Sequence, residues 1–238
     1  MHARVATPPR PELERLSRDV VIASPDVRVC VFGDSFTAGV GDRTGAGWVG
    51  QVTAAAQDPR WSLTAYNLGV RRDTSVDIAR RWSGEARSRL KDGDRFGIVL
   101  AFGTNDVDEQ EGRRRVPRER TLDLLGQMLN DAHTAGWASL VVGPPPVLDT
   151  ALSARAGALA VGMAATCAHR DVRFVDVGAL AEDAVWVAEV SAGDAFHPST
   201  AGYGRLAAIV APVVTDWLAE LASREAAQWS PARNGRDR

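Results

Sequence analysis

The feature that most constrains this chain is a repeated alternation: short, apolar, valine-rich runs closed off by turn residues, each followed by a longer stretch with helical periodicity. Val27 to Phe32 lies between Pro25-Asp26 and Gly33, and similar runs follow at Leu63 to Leu68, Ile98 to Phe102, Leu140 to Val142 and Arg173 to Val177. Runs of this kind read as strands buried on both faces. Between them, Trp48 to Gln57, Thr74 to Leu90, Thr121 to Ala135 and Ser153 to Arg170 read as helices, the third with Leu122, Leu125, Leu129 and Ala132 on one face. The last helix is the clearest: Leu206, Ile209, Val210, Val213, Trp217, Leu218 and Leu221 form one core-facing stripe, with Ser199 as the expected N-cap. Strands alternating with helices predict an α/β fold with a five-stranded parallel sheet covered on both faces, because each crossover helix packs back onto the sheet. Ligands in such folds bind beyond the carboxyl ends of the strands, so the residues directly after each strand matter most.

At 238 residues and 45% hydrophobic content, the chain can bury one sizeable core. One domain is expected over residues 23–223, between weakly ordered, polar, Arg-rich tails at 1–22 and 224–238. A formal net charge of -2 supplies no broad positive field, which argues against nucleic acid as a partner. The first residues hold no apolar stretch resembling a signal peptide, and no later run approaches the roughly 20 apolar residues needed to span a bilayer. A soluble, cytoplasmic protein without an integral membrane segment is therefore expected, its oligomeric state left open. Cys30 and Cys167 lack the paired spacing of a metal site and read as small core residues. His133 and His169 fall near predicted helix C-termini, and no metal or other cofactor is expected.

Directly after the first strand comes Gly33-Asp34-Ser35-Phe36-Thr37, which exposes the Ser35 hydroxyl at the sheet edge. A serine nucleophile needs a base for its proton and donors for the oxyanion that develops on the attacked carbonyl. The base candidate is His197 in Asp194-Ala195-Phe196-His197-Pro198, just before the last helix. One loop then carries both groups, Asp194 bonding one ring nitrogen while the other faces Ser35 and the tautomer is fixed. Pro198 stiffens the turn into the helix. Donors are expected after the second and third strands, in Asn67-Leu68-Gly69 and Gly103-Thr104-Asn105-Asp106: the Ser35 and Gly69 N–H groups and the Asn105 amide. Asp34 reads as structural and Asp106 as orienting its loop.

These blocks resemble, in order, those of the SGNH hydrolases, also called GDSL esterases and lipases. Gly33 through Phe36 is similar to the family's serine block with Phe36 in place of leucine, Gly69 to its glycine block, Gly103 through Asp106 to its Gly-x-Asn-Asp block, and Asp194 through His197 to its Asp-x-x-His block. The resemblance covers roughly residues 26 to 220. It implies a three-layer α/β/α, flavodoxin-like fold and metal-independent hydrolysis of small-molecule esters or thioesters through an acyl-serine, esterase-, lipase- or lysophospholipase-like. The implied catalytic residues are Ser35, Asp194 and His197, and the implied oxyanion hole is Ser35, Gly69 and Asn105.

Three rival readings follow from the same residues. The same triad can transfer an acyl group to a sugar or small metabolite, and a non-catalytic binding protein can retain the pocket. Gly45-Ala46-Gly47-Trp48-Val49-Gly50 matches dinucleotide-binding spacing, yet it starts well after the first strand, and Tyr66-Asn67 ends the second strand without the ribose-binding acid. The Asp108 to Arg118 loop carries Arg113, Arg114 and Arg115 beside the oxyanion block, where arginines are suited to a phosphate-bearing substrate. Gly143 to Val147, rich in proline, is expected to form a stiff pocket wall, and specificity is expected from the loops Asp42 to Trp48, Val107 to Pro117 and Ala181 to Gly193.

Overall fold

A computed structural model describes residues 24–224. The expected tails at 1–22 and 224–238 therefore lie outside the described residues, Arg224 apart. In chain order the elements are β1 (Asp26–Gly33), α1 (Ser35–Ala38), α2 (Gly47–Ala55), β2 (Ser62–Gly69), α3 (Ser75–Arg89), β3 (Arg95–Ala101), α4 (Thr104–Val107), β4 (Glu109–Gln110), β5 (Arg113–Arg114), α5 (Arg118–Thr134), β6 (Ala138–Val142), α6 (Thr150–Ala168), β7 (Arg173–Val175), a 3-10 turn (Gly178–Glu182), α7 (Ala184–Ala192) and α8 (Thr200–Ser223).

The five expected strands form one sheet, in the order β2-β1-β3-β6-β7, with every neighbouring pair parallel. Strand alternation divides the core in two. Val27, Val29 and Val31 of β1, with Val99, Leu140, Val142 and Val175, face α2, α7 and α8. Cys30 and Phe32 of β1, with Ile98, Leu100 and Val141, face α3, α5 and α6. The result is the three-layer α/β/α architecture expected from the sequence. Cys30 and Cys167 are both buried in the second layer, where burial pushes their thiols up to about 12.

α3 starts where expected, with Thr74 as N-cap and Asp77 completing a reciprocal capping box. α8 starts differently. The Ser199 side chain caps nothing; instead Glu189 from α7 accepts the Ser199 and Gly202 N–H groups at 3.1 and 2.5 Å. A carboxylate from a neighbouring helix thus supplies the anion that a helix N-terminus favours. Contrary to the sequence expectation, α6 and α8 are each long and apolar enough, by length and composition alone, to cross a membrane; both turn a buried stripe toward the sheet.

Two short elements were not foreseen within the expected loops. Asp108 to Arg115 closes as the antiparallel β4–β5 hairpin, and the segment before Gly193 forms α7. The glycines of Gly45 to Gly50 lead into α2, and the Asp42 carboxylate accepts the Gly47 N–H at 2.8 Å. Asp42 also bonds Thr44 and Thr200, tying this loop to the start of α8.

Candidate active site

All site groups converge on the carboxyl edge of the sheet. β1 ends at Gly33, and the chain turns at once into α1, whose first residue is Ser35. Asp34 stabilises this turn by accepting the Phe36 N–H at 2.9 Å. α1 is held from below by the end of β2, where the Asn67 amide donates to the Thr37 carbonyl at 2.8 Å. A Cβ at Gly69 would stand 2.2 Å from the Ala38 nitrogen, so only glycine lets this backbone pass under α1.

His197 arrives from the other end of the chain. Its Nε2 lies 2.7 Å from Ser35 Oγ, and its Nδ1 lies 2.7 Å from Asp194 Oδ2. Asp194 Oδ1 accepts the Phe196 and His197 N–H groups at 3.0 and 2.7 Å, locking the loop around the carboxylate. Burial raises the Asp194 pKa, but the backbone and ring donors outweigh it and hold the group at about 2. The acid is therefore ionised wherever the imidazole works as a base.

Neighbouring segments hold the loop and the proline-rich stretch beside it. Leu148, after the proline-rich segment, donates its N–H to the Ala195 carbonyl at 3.1 Å. Trp186 Nε1 bonds the Pro146 carbonyl at 3.1 Å, while Phe36 stacks on Phe196 with ring centroids 5.6 Å apart. Gly41 takes φ 93°, and a Cβ there would stand 2.4 Å from the Pro198 carbonyl oxygen.

Asn105, buried in α4, donates its amide to the Asp73 carbonyl at 3.0 Å and to Asp34 Oδ2 at 3.3 Å. Its neighbour Asp106 is wholly buried and accepts from the Ser75 N–H, the Ser75 hydroxyl and the Thr121 hydroxyl, which anchors α4 to α3 and α5. Asp106 thus orients its loop, as its position in the sequence suggests.

The structure brings together Ser35, Asp194, His197 and Asn105. Gly69 is placed differently: its N–H is held by the Asn67 side chain at 3.0 Å. Beyond it, Val70 to Asp73 forms a turn closed by the Asp73 N–H on the Val70 carbonyl at 3.2 Å, with Arg72 at φ 68°. Among the described residues the Arg72 N–H has no protein acceptor. Sequence reasoning missed this position because arginine gives no sign of a left-handed turn.

A parallel α/β/α sheet carrying a Ser–His–Asp array at its carboxyl edge defines a serine hydrolase of the SGNH class. The family model described as the GDSL-like lipase/acylhydrolase family matches residues 31–205, and the chain belongs to that family. Three solved structures share the fold. A hydrolase from the Lake Arreo metagenome has a TM-score of 0.67 at 22% identity over 82% of this chain and 97% of its own. A lipase/acylhydrolase from Enterococcus faecalis scores 0.64 at 21% identity, covering 80% and 96%. An acetylxylan esterase from Geobacillus stearothermophilus scores 0.64 at 16% identity, covering 88% and 100%. No curated protein sequence matches the chain.

Proposed function

We propose that the protein hydrolyses carboxylic esters or thioesters of small molecules through an acyl-serine intermediate. The observation that carries this reading is the unbroken chain of contacts from Asp194 to His197 to Ser35, each 2.7 Å long. His197 Nε2 takes the Ser35 proton as Oγ attacks the carbonyl carbon, and Asp194 stabilises the resulting imidazolium. His197 then returns the proton to the departing alcohol or thiol. Water, deprotonated by the same imidazole, attacks the acyl-serine and frees the acid.

For the oxyanion we assign the Ser35 N–H, the Asn105 amide and the Arg72 N–H, the last in place of Gly69. The Ser35 N–H belongs to the first turn of α1 and has no intrahelical acceptor. Asn105 would give the carbonyl oxygen the hydrogen it now shares with Asp34 at 3.3 Å, the longer of its two bonds.

The test is hydrolysis of p-nitrophenyl esters from acetate to palmitate by wild type and Ser35→Ala. Loss of turnover by about four orders of magnitude or more in the variant is expected for removal of a triad nucleophile. Turnover surviving in the variant would refute Ser35, and a wild type that neither turns over an ester nor takes a serine-directed phosphonate would refute the reaction.

A further inference from the structure

The turn that ends in Asp73 carries more than a backbone donor. Arg72 occupies a left-handed conformation that glycine adopts without strain, at a point fixed beside Asn105 through the Asp73 carbonyl. A second arginine reaches the same spot from another element. Arg115, just past β5, donates Nη2 to the Arg72 carbonyl at 2.8 Å. The hairpin that carries it is tied to the Asn105 helix by Arg115 N–H on the Asp108 carbonyl and Val116 N–H on the Asp106 carbonyl, at 2.9 and 3.0 Å.

Several carboxylates near these two arginines are engaged with other groups, although the Arg115 charge is also felt by Asp77 and Asp106. Asp73 pairs with Arg81 at 2.8 Å, Asp77 takes Thr74 and faces Arg80, and Glu109 faces Arg155. Asp106 is buried with Ser75 and Thr121. Among the described residues Arg71, Arg72, Arg113, Arg114 and Arg115 enter no ion pair, whereas Arg80, Arg81, Arg89 and Arg155 behind them all do. Of the unpaired arginines, Arg115 reaches the turn beside Asn105 through its bond to the Arg72 carbonyl, and Arg72 itself belongs to that turn. Leu148 and Phe196 line the His197 loop with apolar surface.

Resting on the hydrolase reading above, we propose that Arg72 and Arg115 form an anion subsite at this turn, selecting esters or thioesters that carry a carboxylate or phosphate. Planar guanidinium groups suit such oxyanions because two parallel N–H groups meet two oxygens. The anion can sit on the acyl half or the leaving group, and the choice of substrates separates the two.

The experiment compares p-nitrophenyl butyrate, mono-p-nitrophenyl glutarate and butyryl-coenzyme A on wild type, Arg72→Gly, Arg115→Gln and Arg115→Lys. The quantity read is the kcat/KM of each anionic substrate divided by that of the neutral ester on the same protein, so a general loss of activity cancels. A hydrogen bond to a charged group supports a fall of about tenfold in this ratio for Arg72→Gly and Arg115→Gln. Arg115→Lys keeps the charge but loses the planar fork and recovers only part of the ratio, and the wild-type ratio falls as salt rises. A fall confined to the glutarate puts the anion on the acyl half, and a fall confined to the coenzyme A thioester puts it on the leaving group. Ratios unchanged in both neutralising variants, or indifferent to salt in wild type, would overturn the subsite while neutral-ester turnover left the hydrolase standing. Absence of turnover on all three substrates would overturn both.

Discussion

Asp34 sits beside the nucleophile with its carboxylate wholly buried, and its neighbours determine what that burial does. Desolvation lifts it from 3.8 to about 7, opposed by the Phe36 N–H and assisted by the nearby Asp106. Between those two values the folded protein keeps a proton that the unfolded chain has released. The stability tied to this group is therefore full below about 3.8 and declines as pH rises through about 7. Asp194 has the opposite sign: held at about 2, it contributes stability above 3.8 that is lost only as the solution is acidified through about 2. Asp34→Asn removes the first dependence. Its urea midpoint, measured against wild type, is expected to improve steadily from about pH 4 to about pH 8, and parallel pH profiles would show that burial of Asp34 does not have this effect. The triad spacing, Asp194 three residues before His197, was legible in the sequence because a single loop can carry acid and base together. Gly69 was singled out as well, but the close pass of α1 over it was not legible, because it is a long-range contact with no local signature.

At the scale of elements, strands and long helices were readable because each has a period that its environment enforces: both faces buried for β1, β3 and β6, one stripe buried for α5 and α8. α7 escaped because Ala184-Val185-Trp186-Val187 is apolar throughout; only Trp186 and Val190 face the core, while Val185 and Val187 stay exposed. Its importance lies in Glu189, whose carboxylate starts α8 immediately after His197-Pro198. The helix start and the catalytic loop are thus one structural unit. Glu189→Ala leaves two N–H groups of α8 without a protein acceptor and is expected to lower stability by about 1 kcal/mol, within the usual range for a lost N-cap. It should reduce kcat more than it changes KM, because His197 loses its firm seat while the substrate pocket does not. Glu189→Gln, which keeps the acceptor oxygen, should recover most of both. Equal losses in the two variants would show that the charge, and not the cap, is what matters.

In the whole molecule, function and stability occupy opposite ends of the sheet. Ser35, Arg72 and Asn105 follow the carboxyl ends of β1, β2 and β3, and α8 begins at that edge and runs back along the sheet to its amino end. There Trp217 covers β3 at Gly97, where a Cβ would stand 2.5 Å from the indole, and it belongs to the same apolar layer as Val29, Val99 and Leu218. The indole is 4% exposed, so its removal opens a cavity that the surrounding strands cannot close. Trp217→Ala is expected to cost about 3 to 5 kcal/mol in chemical denaturation, a large share of the stability of an ordinary domain. Because the cavity lies far from the Ser35–His197 contact, kcat per folded molecule should match wild type at low temperature, with activity lost only as the variant unfolds. A drop in kcat at a temperature where the variant remains folded would mean that packing at the carboxyl end of α8 is felt through the helix at His197, and that the two ends of the sheet are not independent.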